Sequence, residues 1–320
     1  MNNSNRIFWI DLVKGIAIIL VVVGHILQMR SQPAMTIPYE FIYKFHMPLF
    51  MFMSGYMLKD IILKVSVNYL IDKYKKLLIP CFLFGSLNSV LRKENLIDDF
   101  LLLGGNGYWY LFALSIYITI ISLCVFGCRS FRIGDKKIVH YIIIVFLLYY
   151  IFSCFIPTNV TIYKMFLFNR SFLLPFFLLG FLSSYFNWIH KIKAYTIVAF
   201  VSVVVTCMFF FKMSWSYIII SISMIILIIS FSIGLNDNCT ILRRIGYYGK
   251  HSLFIYVFHW FAFGLFTKKQ FFVFANSDIG SITYMGGWIV MFVTTYIIIE
   301  VSIYIGYMIK RIPVVGKYIL

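Results

Sequence analysis

Acidic side chains are scarce in this chain: 11 Asp+Glu among 320 residues, against 28 Lys+Arg, for a formal charge of +17. Charged residues of both signs make up only 12%, and apolar residues make up 62% with a mean hydropathy of +0.92. An ordinary soluble domain carries about 25% charged and about 45–50% apolar residues, so the shortage of charge excludes a soluble fold. It also removes the nucleic-acid partner that a basic surplus would suggest in a soluble protein. Cysteine is sparse too, six in number and scattered. That is too few for a disulfide framework, and no Cys-x-x-Cys or Cys/His spacing offers a metal site. The chain lacks a Walker loop, a G-x-S-x-G elbow, an H-E-x-x-H pair and a paired-carboxylate motif. It also lacks the internal repeat that secondary transporters often show.

Long apolar runs are what the sequence does have. A helix crossing about 30 Å of hydrocarbon needs about 20 mostly apolar residues, and cutting at polar and Gly/Pro clusters leaves about ten such stretches. They lie near 7–27, 40–58, 77–91, 108–127, 138–156, 172–186, 194–211, 217–234, 251–267 and 285–308. The expected fold is therefore all-α, a polytopic helical bundle forming one integral-membrane domain over 1–320. The first stretch follows a single basic residue and has no small-x-small cleavage site, so it reads as a retained anchor. Basic residues favour alternate loops, among them Lys73, Lys75 and Lys76, Arg243 and Arg244, and Lys310 and Arg311. The positive-inside rule then puts both termini in the cytoplasm of a multi-pass cell-membrane protein. Cys128 and Cys239 fall in the same inner loops, where thiols stay reduced.

Ionisable residues inside a membrane cost about 2.5–3.5 kcal/mol each on insertion scales, so each is a functional-site hypothesis. The first stretch holds three: Asp11, Lys14 and His25. On a helix, Lys14 and His25 differ by about 20° in azimuth, with Asp11 within about 60° of either, and about 16 Å of axis separates the lysine from the imidazole. One polar stripe thus runs from the inner half of the membrane to the outer end. The competing explanations are an ion pair of Asp11 with Lys14 that neutralises both during insertion, and an ordinary interfacial histidine at position 25.

The second stretch runs inward, placing His46 at a depth similar to His25, with Pro48 shaping the start of the helix. Beyond it, lysines interleave with apolar residues from Lys59 to Lys76. That pattern suits either a cradle for an anionic ligand or a helix lying on lipid headgroups. Trp109 sits where an aromatic belt residue would, and Arg170 precedes a short Pro-containing helix. His259 falls near mid-membrane, either catalytic or hydrogen-bonded across helices, and Glu300 is expected to be buried and paired. Histidine at one end and cations at the other leave two chemistries open: group transfer from a cytosolic donor to a hydroxyl, or proton-coupled transport, including flipping of glycan precursors.

Five blocks of sequence carry a resemblance: R-x-x-W-I-D-L-V-K-G-I-A-I-I-L-V-V-V-G-H at 6–25, F-H-M-P-L-F-M-F-M-S-G-Y at 45–56, K-K-L-L-I-P at 75–80, Y-W-Y-L-F-A-L at 108–114 and Y-V-F-H at 256–259. In this order, across essentially the whole chain, they resemble acyltransferase family 3 membrane proteins, in the branch of fucose 4-O-acetylases and other surface-polysaccharide O-acetyltransferases. The resemblance implies an enzyme that takes acetyl from cytosolic acetyl-CoA and delivers it to a hydroxyl of a glycan or a lipid-linked saccharide. A lipid, peptidoglycan or small-molecule acceptor is the narrower alternative. The family's essential first-helix histidine maps to His25, and its arginine position is Lys14 here, which keeps the charge but not the bidentate fork. Lys75 and Lys76 stand at the family's basic positions. The resemblance thus implies catalysis by His25 with the Lys14 position and coenzyme A binding by Lys75 and Lys76; beside them Asp11 is expected to join the catalytic stripe, Arg243 and Arg244 to be weaker inner cations for the phosphates, and His46, Trp109, Arg170 and His259 to lie on the acceptor and oxyanion side. Neither a metal nor a nucleic acid is expected to take part.

Overall fold

In the computed structural model, residues 8–28, 36–58, 60–92, 107–156, 168–264 and 280–312 are described. The helices among them are α1 (Phe8–Gln28), α2 (Thr36–Tyr56), α3 (Ile61–Lys64), α4 (Val67–Arg92), α5 (Trp109–Ser130), α6 (Asp135–Phe155), α7 (Leu174–Tyr185), α8 (Thr196–Phe209), α9 (Ser216–Ile233), α10 (Thr240–Lys250), α11 (Ser252–Gly264) and α12 (Gly280–Lys310). Stretches of 3-10 helix, Phe168–Leu173 and Trp188–Tyr195, lead into α7 and α8. No strand occurs among the described residues; in hydrocarbon each backbone N–H and C=O must be satisfied inside the protein, and a helix does this for nearly all of its own.

Among the described residues six helices are long and apolar enough to cross a membrane, those in Phe8–Gln28, Trp109–Ser130, Lys137–Phe155, Lys191–Phe209, Ser216–Ile233 and Trp288–Lys310. The other stretches in the sequence are helical but differ from the expectation. Arg170–Tyr185 and Ser252–Gly264 are apolar but short. The 40–58 stretch lies in α2, whose Glu40, Lys44 and His46 lower its hydropathy, and the 77–91 stretch is the second half of α4, continuous with the lysine-bearing segment before it.

The helices gather into two compact units, one drawing its described residues from Met1–Met53 and Phe186–Tyr307, the other from Ser54–Tyr185 and Met308–Leu320. The first unit is built around α1, whose Leu12, Val13, Ala17, Ile18 and Val22 are fully buried. Lipid is as apolar as leucine, so helix association inside a membrane depends on close backbone approach at small residues. Gly15 supplies it: a Cβ there would overlap the Ile245 carbonyl of α10. Gly249 supplies it in return, since a Cβ would run into the Asp11 carbonyl of α1.

Pro48 stands inside α2, not at its start. Lacking an N–H, it leaves the carbonyl four residues earlier without a helical donor, and that carbonyl, on Lys44, accepts the Ser221 hydroxyl of α9. The Lys44 ammonium donates to Ser216 Oγ at 2.9 Å and lies 4.8 Å from the centre of the Phe211 ring. A charged residue and a proline in an apolar helix are thus both satisfied by serines at the start of α9.

In the second unit the core is aromatic. Tyr117 of α5 lies 4.9 Å from Phe177 of α7 and 6.0 Å from Phe146 of α6, ring centre to ring centre. Polar ties cross it: Tyr74 to Thr119 at 2.7 Å and Ser54 to Tyr110 at 2.6 Å. The Arg129 guanidinium donates to the Ile62, Leu63 and Val65 carbonyls at the end of α3, satisfying acceptors that a short helix leaves open.

Candidate active site

The C-terminal end of α1 carries His25, and the first unit surrounds it with rings. His259 of α11 stacks on it with centroids 5.3 Å apart and 21° between planes. Trp260 lies at 4.6 Å and Phe263 meets it edge-on at 6.5 Å. Helical geometry explains the grouping, since 263 lies three residues from 260 and four from 259, the spacings at which side chains of one helix are neighbours.

Hydrogen bonds fix how the imidazole is presented. The Tyr43 hydroxyl of α2 donates to Gln28 Oε1 at 3.0 Å. His25 Nδ1 lies 3.3 Å from the same Gln28 oxygen and 3.4 Å from the Tyr43 oxygen. An amide oxygen only accepts, so Nδ1 carries the hydrogen and the lone pair falls on Nε2. Tyr43 and Gln28 were not among the residues singled out from sequence, because a tyrosine and a glutamine at helix ends look like ordinary interfacial residues. Their positions one turn from His46 and from His25, on stretches already carrying histidines, are the signal that was there.

His46, expected at a depth matching His25, is buried at 4% exposure and donates from Nδ1 to the Ile42 carbonyl at 2.8 Å. Its ring is 4.8 Å from that of Tyr43, so Tyr43 stands between the two histidines. His259, only 1% exposed, makes no hydrogen bond to another helix among the described residues. Its Nδ1 donates to the Ile255 and Tyr256 carbonyls of its own helix at 3.0 and 2.7 Å.

Toward the start of α1, Asp11 is buried and Lys14 half-buried. On α10, Arg244 donates to Tyr248 Oη at 3.2 Å and pairs with Glu300 of α12, which also accepts from Tyr248 at 2.7 Å. Glu300 is paired as expected, by Arg244, but it is half-exposed and not buried, because it meets an exposed guanidinium. Arg243 donates to the Asp237 carbonyl at 3.2 and 3.1 Å and is exposed.

The remaining residues belong to the second unit. Lys75 and Lys76 are exposed on the first turns of α4. Lys73 lies beside them, 5.4 Å from the Tyr69 ring centre, and burial, with Lys76 close by, lowers its ammonium below the ordinary lysine value. Such a face suits phosphate oxygens, which accept from several ammonium groups at once. Trp109 and Arg170 come together, the guanidinium carbon 4.8 Å over the indole, a cation–π arrangement of the kind arginine favours.

Helices long and apolar enough to cross a membrane, with an imidazole of α1 stacked on one of α11, define the class: a membrane-embedded protein. The family model of an acyltransferase domain, of the acyltransferase 3 type, matches residues 7–304, and the chain belongs to that family. Among curated proteins it is similar to Nodulation protein NolL of Sinorhizobium fredii, 37% identical over 127 residues, covering 35% of this chain and 34% of the relative. The corresponding protein of Mesorhizobium japonicum is 34% identical over 135 residues, covering 38% of this chain and 36% of the relative. The match thus spans about a third of the length of these relatives. No solved structure matches the chain.

Proposed function

We propose that the protein transfers an acetyl group from acetyl-CoA to a hydroxyl of a cell-surface glycan or of its lipid-linked precursor, in the plasma membrane with both termini cytoplasmic. The observation that carries this reading is His25 held by Gln28 and Tyr43 with its lone pair on Nε2, in a chain of the acyltransferase family. A neutral imidazole so held is a general base for a hydroxyl near neutral pH. The acceptor oxygen attacks the thioester carbonyl carbon; the new C–O bond forms and the C–S bond breaks. His25 Nε2 takes the hydroxyl proton and returns it to the departing sulfur, leaving acetyl ester and free coenzyme A thiol.

On this reading Lys75 and Lys76 bind the coenzyme A phosphates and the exposed Arg243 is a further contact. Arg244 contributes less, its guanidinium being committed to Glu300 and Tyr248. The pantetheine arm runs past Lys14 toward His25, about 16 Å along the α1 axis. Arg170, held over Trp109, is a donor for the oxyanion of the tetrahedral intermediate.

Replacing His25 by alanine tests the assignment. Acetyl incorporation from labelled acetyl-CoA into the glycan is expected to fall by at least a hundredfold, the scale of general-base catalysis, with protein level and membrane insertion unchanged. Near wild-type incorporation by purified His25→Ala would overturn it.

A further inference from the structure

His259 is buried, and its Nδ1 hydrogen is spent on two backbone carbonyls of its own helix. The other nitrogen, Nε2, therefore carries a lone pair, and it is buried without a hydrogen-bond partner among the described residues. A buried acceptor left unmet costs free energy, and helix α11 could hold an apolar side chain there at no such cost. The imidazole that carries this lone pair lies among the His25, Trp260 and Phe263 rings. What satisfies it must bring an O–H or N–H among these aromatic rings, beside the base.

We infer that His259 Nε2 accepts a hydrogen bond from a second hydroxyl of the acceptor, adjacent to the one that is acylated, so that this site takes a vicinal diol and not an isolated alcohol. This rests on the acetyltransferase reading above and narrows its substrate class. The two imidazoles are stacked 5.3 Å apart, a separation that neighbouring hydroxyls on one sugar ring can span when each reaches about 2.8 Å to its own nitrogen. The Trp260 ring, 5.2 Å from His259 and 4.6 Å from His25, supplies an apolar wall for the C–H face of the same sugar. His259 acts by binding: the hydroxyl at His25 loses its proton and the one at His259 keeps it. A site that demands a hydroxyl rejects an analogue lacking it far more strongly than an apolar pocket rejects an extra group. The acetylated position is therefore one whose neighbouring hydroxyl is unsubstituted.

The test uses membranes carrying the full chain, labelled acetyl-CoA, and two probes: the surface glycan of the producing cells, and the same glycan after periodate cleavage of its vicinal diols and borohydride reduction, which leaves hydroxyls but removes ring diols. Wild type is expected to acetylate the intact glycan at least tenfold better than the cleaved one. His259→Phe is expected to raise the KM for intact glycan at least tenfold, leaving kcat within about threefold and the KM for acetyl-CoA unchanged. His259→Gln, which retains an N–H for the backbone carbonyls and an oxygen acceptor for the ligand, should recover part of the loss. It also carries the comparison if the phenylalanine variant does not fold. A rise in the KM for acetyl-CoA instead would assign the lone pair to an amide N–H of the donor and overturn the inference. Unchanged constants in both variants would overturn it as well, leaving His259 a structural residue. If wild type acetylates neither glycan, the acetyltransferase reading itself fails.

Discussion

Tyr43 shows how much of this site depends on a group that does no chemistry itself. Its hydroxyl donates to Gln28 and lies against His25 Nδ1, so it holds both the ring and the residue that accepts the ring's hydrogen. In Tyr43→Phe the aromatic packing against His46 stays and only the hydroxyl goes. A net hydrogen bond is worth about 0.5–1.5 kcal/mol, which predicts a fall in kcat of about two- to tenfold, with the KM for acetyl-CoA unchanged. Steady-state kinetics on membranes would show it, and an unchanged kcat would remove Tyr43 from the site. At this scale the sequence was partly legible. His25 and His259, which the structure stacks together, stood out in the sequence because ionisable groups in hydrocarbon are costly and therefore conspicuous. Tyr43 and Gln28 did not, because neither residue is costly at a helix end. The pairing of Arg244 with Glu300 joins residues far apart in the chain, and only the approach of α10 to α12 reveals that this cation is already engaged.

At the scale of elements, hydrophobic run length predicted that helices would form but not how they would join. The 77–91 stretch read as a separate span, and it is the continuation of a lysine-bearing helix beginning at Val67. Nothing between Lys76 and Leu77 breaks a helix, and Pro80 lies within it. Pro48 was expected to mark a helix start, and α2 accommodates it mid-course through the Ser221 hydroxyl, a remedy supplied by another helix and so invisible in the local sequence. The crossing of α1 and α10 is equally non-local, resting on Gly15 and Gly249. Gly249→Ala would force a methyl group against the Asp11 backbone carbonyl, and backbone yields less readily than a flexible side chain. Overpacking of this kind costs about 1–3 kcal/mol, so the purified variant is expected to unfold at lower temperature in detergent. Gly127→Ala is the matched control, since nothing lies within 4 Å of the added methyl. There the alanine should be neutral or slightly stabilising through helix propensity. Equal melting temperatures for the two variants would mean that the crossing is not tight.

For the whole molecule, the shortage of acids and the surplus of lysine and arginine ask which side of the membrane each loop occupies, and Cys239 provides a way to find out. It occupies the N-cap position of α10 and is exposed. The backbone N–H groups of Leu242 and then Ile241 stabilise its thiolate and lower its pKa below the ordinary thiol value. Because the thiolate is the nucleophile, Cys239 should react with a charged maleimide at neutral pH faster than a free model thiol does, and its rate should level off at lower pH. The other exposed cysteine, Cys154, lies in the apolar span of α6, where a charged reagent in water does not reach. Labelling thus reports one site, and Cys239→Ser should abolish it. With the termini cytoplasmic, α10 faces inward, so intact cells are expected to show no labelling by the impermeant reagent and inside-out vesicles rapid labelling. The same face then carries Arg243, consistent with a phosphate-bearing donor arriving from the cytoplasm. Labelling of intact cells would invert the topology, put His25 on the cytoplasmic side, and turn the proposed glycan acetylation into a reaction on cytoplasmic hydroxyls.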